Sequence, residues 1–189
     1  GMILLDLQKA FDTVNHSILL SKLKACGLGN DICQWFNSYL SDRLQLVDIS
    51  GTFSNSSPIT CGVPQGSILG PLLFVIYVND MPAVVKNKLL LYADYSAILV
   101  SRKNIAEVER ALSDDLFSVS QWLVDNKLSL HLGKTESILF GTKRKLHSKS
   151  NFLITCNDTS ISSTSSVKYL GVTIDQCLSF KNMAESVIK

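Results

Sequence analysis

The sequence predicts an α+β domain with a mainly antiparallel sheet and helices packed on one face. Two observations carry this. Short apolar runs of strand length alternate with longer stretches of helical period. Two of the strand pairs are joined closely enough to be hairpins, which favours antiparallel pairing. At 189 residues, with 46% hydrophobic and 18% charged residues, the chain can bury one ordinary core. That composition excludes a disordered or highly charged tail protein.

Met2 to Leu7 is an apolar run broken by Asp6 and predicts a buried strand. Val14 to Ala25 has helical spacing, with Gly27 as a stop. Asp31 is placed to cap a second helix that carries Ile32, Trp35, Phe36, Tyr39 and Leu40. Leu44 to Ile49 and Ser57 to Cys61 predict a hairpin around a turn-rich centre. A breaker-rich loop follows, Gly62 to Gly66, and Ser67 can open a helix running to about Asn79. Leu89 to Tyr92 and Ala97 to Ser101 predict a second hairpin with Ala93 to Ser96 at its tip. Asn104 caps a long amphipathic helix with apolar residues at a 3.6 period from Ile105 to Leu123. Strands are expected at Leu128 to Leu132, Ser137 to Phe140, Phe152 to Cys156, Ser160 to Ile161 and Val167 to Ile174. Lys143 to Lys149 is expected to be a basic loop. No repeat or internal boundary is visible, so residues 1–189 are expected to form a single domain.

The five cysteines are odd in number and lack CxxC spacing, and the three histidines are scattered. A zinc site or disulfide framework is not expected, and a reducing intracellular compartment, nucleus or cytoplasm, is. The longest apolar stretch, Ile68 to Val78, is interrupted by Gly70 and Pro71. It falls short of the roughly 20 residues of a membrane span, so no membrane association is expected. Two carboxylates stand out. Asp6 ends a buried strand and Asp94 sits at a hairpin tip between apolar strands. A charge in such surroundings is costly unless compensated, and a divalent cation shared by both acids would compensate it. Ordinary turn or cap residues are the alternative.

Asp6-Leu7-Gln8-Lys9-Ala10-Phe11-Asp12-Thr13-Val14-Asn15-His16, and Gly62 to Phe74 with its Gly62-Val63-Pro64-Gln65-Gly66 start, resemble the first and second palm motifs of the reverse transcriptases of non-LTR, LINE-type retrotransposons. Tyr92-Ala93-Asp94-Tyr95 stands where the family carries Tyr-Ala-Asp-Asp. Leu128-Ser129-Leu130 with Lys134-Thr135, and Lys168-Tyr169-Leu170-Gly171-Val172, resemble the later motifs.

The resemblance implies a polymerase palm that synthesises DNA on an RNA template. Its partners would be RNA template, DNA primer and dNTP, and its cofactor two Mg²⁺ ions, with Mn²⁺ as a substitute. It assigns metal binding to Asp6 and Asp94, and proton donation to the leaving pyrophosphate to Lys134. Phe11 would lie beneath the incoming sugar, and Gln65 and Gly66 beside nucleotide and template. Tyr169, Leu170 and Gly171 would support the primer end, with residues 167–189 leading toward a thumb. Asp12 is expected to be a helix N-cap. Fingers and thumb are expected to be largely missing, so the chain reads as a piece of a longer one. Lys143, Arg144, Lys145, His147 and Lys149 form the densest basic run. Tyr95 departs from the family pattern: a neutral phenol stands where a third carboxylate is expected. This implies a loss of at least two or three orders of magnitude in rate. The alternative is an inactive palm remnant that at most binds RNA–DNA duplex.

Overall fold

The computed structural model describes residues 1–147, 152–157 and 159–187. In chain order the elements are β1 (Met2–Leu5), α1 (His16–Ala25), α2 (Asn30–Leu40), β2 (Leu44–Gln45), β3 (Asp48–Ile49), β4 (Thr52–Phe53), β5 (Ser57–Pro58), α3 (Leu69–Val78), β6 (Lys88–Tyr92), β7 (Tyr95–Leu99), α4 (Ile105–Asp125), β8 (Glu136–Ile138), α5 (Lys143–His147), β9 (Ile154–Cys156), β10 (Thr159–Ser163), β11 (Ser166–Tyr169), β12 (Val172–Asp175) and α6 (Lys181–Val187). A 3-10 turn at Met81–Val84 precedes β6. The chain divides into two compact units, one of residues 1–8, 81–125 and 129–189, the other of residues 9–80 and 126–128.

The first unit is built on a six-stranded sheet in the order β6-β7-β1-β8-β10-β9. All pairings are antiparallel except β8 with β10. Strand alternation sends Met2 and Leu4 to one face and Ile3 and Leu5 to the other. The first face joins Ala97, Ile138 and Val167 in a core that Leu90, Leu99, Phe140, Tyr169 and Ile174 extend. Val167, Tyr169 and Ile174 belong to the β11–β12 hairpin, which therefore lies against this face. The second face is covered by α4. A Cβ on Gly1 would meet Val108 and Leu112 of that helix at 2.7 and 3.0 Å, and Gly1 alternates with Ile3 and Leu5.

Helix α4 begins with a reciprocal cap. The Glu107 N–H donates to Asn104 Oδ1 (2.9 Å), and Asn104 Nδ2 donates to Glu107 Oε1 (2.8 Å). Its buried face includes one acid, Asp115, only 1% exposed. That carboxylate accepts hydrogen bonds from the Lys86 and Asn87 N–H groups and from Asn87 Nδ2, at 2.8–3.2 Å. The acid thus fastens the entry to β6.

In the second unit α1 packs on α2 and α3, around the buried Val14, Leu19, Leu23, Leu40, Leu73, Phe74 and Tyr77. Asn15 caps α1, accepting from the Ile18 N–H at 3.0 Å. Asp12, the expected cap, is engaged elsewhere. Asp31 lies within the first turn of α2, whose cap is Gly29. Ser67 Oγ accepts from the Gly70 N–H at 2.9 Å, but the N-cap of α3 is the next residue, Ile68.

Four other expectations are corrected. The hairpin of residues 44–61 is two short ladders, β2 with β5 and β3 with β4. Leu128 to Leu132 is not a strand; it contributes one bridge, Leu7 with Leu130. Val167 to Ile174 is a hairpin, because Leu170 and Gly171 both take positive φ (48° and 83°) and reverse the chain. The basic run begins with the helix α5; Lys149 lies outside the described residues.

Candidate active site

The first unit gathers four chain segments at one hollow. Strand β1 ends at Leu5, and the next carbonyl, that of Asp6, accepts a hydrogen bond from the His131 N–H at 2.7 Å. The Gln8 N–H donates to the Ser129 carbonyl at 2.9 Å. These bonds fix Asp6 where the strand leaves the sheet. Asp94 arrives on a two-residue turn between β6 and β7, whose first residue, Ala93, takes φ 52°. Glycine is the usual choice at that position. Lys134 stands on a turn in which the Lys134 and Thr135 N–H groups both donate to the His131 carbonyl at 3.0 Å.

Asp6, Asp94, Tyr95, Lys134, Glu136 and Lys168 all line this hollow of about 190 Å³. The pairing explains the convergence. Leu5 faces Ser96 in the last β1–β7 pair, and the next residues of the two chains, Asp6 and Tyr95, line the hollow beyond it. Leu4 faces Glu136 on the other flank. Lys134 Nζ lies 3.9 Å from Asp6 Oδ2, with both side chains well exposed; such a pair is weak in solvent.

The geometry corrects one premise. Asp6 is half-buried and Asp94 is exposed, so neither acid pays a heavy desolvation cost. What marks them is their meeting in one hollow. Two carboxylates open to solvent fit a hard divalent cation, which keeps several waters and takes further oxygens from a bound phosphate. Among the described residues no three His, Cys, Asp or Glu side chains are grouped closely enough to hold a metal. Tyr95, 52% exposed at the rim, supplies no carboxylate. Glu136 was not anticipated, and Lys168, named with the later motif, was given no role of its own. The available signal for Glu136 was an acid opening an otherwise apolar run, Ser137 to Phe140.

The residues expected at the primer divide. Tyr169 packs against the core of the sheet. Leu170 and Gly171 form the β11–β12 turn and line an adjoining hollow of about 620 Å³ with Tyr92, Tyr95 and Lys168.

Phe11, Gln65 and Gly66 belong to the second unit. The Phe11 ring packs on Phe74 with centroids 4.6 Å apart and planes tilted by 31°. Its carbonyl accepts from the Val63 N–H at 2.8 Å. Gln65 Nε2 donates to Asp12 Oδ1 at 2.6 Å, so Asp12 tethers the glycine-rich loop rather than capping a helix. Gly62 is required there: its φ is +90°, and a Cβ would lie 2.8 Å from the Asp12 carbonyl oxygen. Gly66 has φ +77° with open space around it. Gln65 also lines a hollow of about 700 Å³ that includes Lys9, Arg43 and Gln45.

A family model described as reverse transcriptase (RNA-dependent DNA polymerase) matches residues 1–174. The chain belongs to the reverse transcriptase family. This reverse transcriptase chain is 33% identical to the RNA-directed DNA polymerase from mobile element jockey of Drosophila funebris, over 99% of its own length and 21% of the relative's. It is 28% identical to the probable RNA-directed DNA polymerase from transposon X-element of Drosophila melanogaster, covering 93% of the chain and 19% of the relative. It thus spans about a fifth of these relatives. Its fold resembles that of apo telomerase from Candida Tropicalis truncated from its C-terminal domain, with TM-score 0.61, 16% identity, and coverage of 95% of this chain and 34% of that one. Reverse transcriptases are nucleotidyltransferases that use divalent metal ions, and the oxygen donors in the first unit suit such an ion. Among the described residues no helix is long and apolar enough to cross a membrane.

Proposed function

We propose that the chain is the palm of a non-LTR retrotransposon reverse transcriptase, extending a DNA primer on an RNA template. The observation that carries this is the meeting of Asp6 and Asp94, from separate elements, in one solvent-open hollow with Lys134. In this reading Asp6 and Asp94 hold Mg²⁺, with two ions at work or Mn²⁺ in their place. Bound divalent ions would stabilise the attacking and leaving oxygens of the phosphoryl transfer. Lys134 donates a proton to the departing pyrophosphate, its exposed ammonium free to swing from Asp6 toward substrate. Phe11 excludes a 2′-hydroxyl by contact. Gln65 and Gly66 border nucleotide and template, where a residue without a Cβ admits close approach. Tyr169 anchors the β11–β12 hairpin to the sheet, so Leu170 and Gly171 present a fixed turn to the primer end. Residues 167–189 lead toward a thumb.

Tyr95 favours a second reading of this copy: a folded but catalytically impaired palm. Primer extension tests both. This chain is placed in the matching segment of a jockey-type relative and assayed on an RNA template. Tyr95→Asp is expected to raise synthesis by about 100- to 1,000-fold, or about 3–4 kcal/mol of transition-state stabilisation. Asp94→Asn in that background is expected to abolish it. No gain from Tyr95→Asp overturns the role given to position 95.

A further inference from the structure

Glu136 is held on both flanks. It pairs with Leu4 of β1 on one side and with Ser162 of β10 on the other. The two residues that follow it, Ser137 and Ile138, are fully buried and anchor this end of β8. A side chain fixed on a sheet is placed more precisely than one on a loop. The Glu136 side chain is half-buried and lines the same hollow as Asp6 and Asp94. Among the described residues its carboxylate has no hydrogen bond and no ion pair, although Lys134 and Lys168 share the hollow. Asp115 and Asp175, also withdrawn from solvent, each engage both carboxylate oxygens with nearby donors. Glu136 alone of these three keeps its full capacity to accept. The hollow therefore holds three acids, although position 95 supplies none. Those three are not grouped closely enough to bind one ion directly. Magnesium, however, keeps several of its waters when carboxylates bind it, and an acid that accepts a hydrogen bond from such a water steadies the ion without touching it.

We infer that Glu136 is a positioning residue for the metal: its carboxylate accepts a hydrogen bond from a water of the ion held by Asp6 and Asp94, and supplies the negative charge that Tyr95 does not. The inference rests on the reading of Asp6 and Asp94 as metal ligands. It goes beyond that reading because Glu136 lies outside every segment that carries the family resemblance. The acid comes instead from a different strand on the far flank of β1, so the loss of a carboxylate at position 95 is offset in charge but not in direct coordination.

The test titrates Mn²⁺ into the 189-residue chain at constant ionic strength, with the free ion read by electron paramagnetic resonance. Asp6→Asn and Asp94→Asn are each expected to abolish binding. Glu136→Gln is expected to weaken it about 10-fold, the lower end for losing such a partner, because the hollow is open to solvent. Glu136→Asp keeps the charge and is expected to retain most of the affinity. In a Tyr95→Asp background the new carboxylate supplies that charge, so Glu136→Gln is expected to cost no more than about threefold. An equal cost in the two backgrounds would show that Glu136 does not stand in for the missing acid. Water proton relaxation counts the waters on bound Mn²⁺; a rise in Glu136→Gln would make Glu136 a direct ligand and overturn the water-mediated role. Circular dichroism checks that each variant folds, and Glu136→Thr, an uncharged strand former, repeats the comparison if Glu136→Gln does not. If Glu136→Gln binds Mn²⁺ as tightly as the parent while Asp94→Asn does not bind, the inference is wrong and the palm reading stands. If the parent binds no Mn²⁺, both are wrong.

Discussion

Tyr95→Asp has a consequence that can be measured without any catalysis. The last β1–β7 pair is Leu5 with Ser96, one step short of Asp6 and position 95, which line one hollow, and position 95 is next to Asp94 in sequence. Facing residues in an antiparallel pair have Cβ atoms about 4.5–5.5 Å apart. A new carboxylate there repels an existing one by about 0.8 kcal/mol at 5 Å in a water-like dielectric. That dielectric is appropriate because Asp94 and Tyr95 are exposed and Asp6 is half-exposed. With two acid neighbours the penalty comes to roughly 1–2 kcal/mol. For a domain of this size each kcal/mol shifts Tm by about 2–4 °C.

The control is Tyr95→Asn, which removes the same ring without adding charge. The two variants are melted in EDTA and again in Mg²⁺, with ionic strength matched by NaCl. In EDTA the Asp variant is expected to melt roughly 2–8 °C below the Asn variant. In Mg²⁺ at ten times its Kd, binding to the folded state returns about 1.4 kcal/mol, and the gap is expected to close. Equal melting of the two variants in both buffers refutes the geometry, because it would mean that position 95 does not share a field with Asp6 and Asp94.

Three further predictions concern the scaffold. Gly62→Ala forces a side chain into a left-handed backbone against the Asp12 carbonyl; a loss of roughly 2–3 kcal/mol is expected in urea titration. Asp115→Ala strands three donors around a buried position; a loss of about 3 kcal/mol is expected by the same measurement. The carboxyl of Asp175 is held below its usual pKa by hydrogen bonds from the Ser179, Phe180 and Cys177 N–H groups and the Ser179 hydroxyl. A depressed carboxyl pKa stabilises the fold above the unfolded value and stops doing so as pH falls through the folded one. The parent is therefore expected to lose stability to Asp175→Asn at pH 7 and to lose that advantage progressively below about pH 4, the ordinary carboxyl value, in melts across pH.

Legibility followed how local the cause was. Helix α4 was readable because its cap, Asn104 with Glu107, and its apolar stripe lie within one segment. The β6–β7 hairpin was readable for the same reason, and with it the position of Asp94 at a tip. Leu128 to Leu132 has the alternation of a strand, yet its backbone is spent on one bridge to Leu7 and on the turn that presents Lys134. The β11–β12 turn was missed because Leu170, a poor turn residue, takes the first left-handed position. Pairing between distant segments is invisible to periodicity. Nothing local says that β8 lies parallel to β10, or that Glu136 stands across from Leu4. The third acid and the second lysine of the hollow were therefore out of reach, although alternation alone could assign each a face.

Those two residues change how Tyr95 is to be understood. Three carboxylates and two ammonium groups line the hollow, leaving a formal charge of −1. Lys134 and Lys168 thus offset most of the negative charge on which a divalent cation depends. In a hollow so nearly balanced, one further carboxylate doubles the formal net charge, and a single Mg²⁺ would then neutralise it. Under the proposed function, Tyr95→Asp is therefore expected to raise metal affinity and primer extension together. A gain in synthesis with unchanged metal affinity would show that position 95 does not act through the ion.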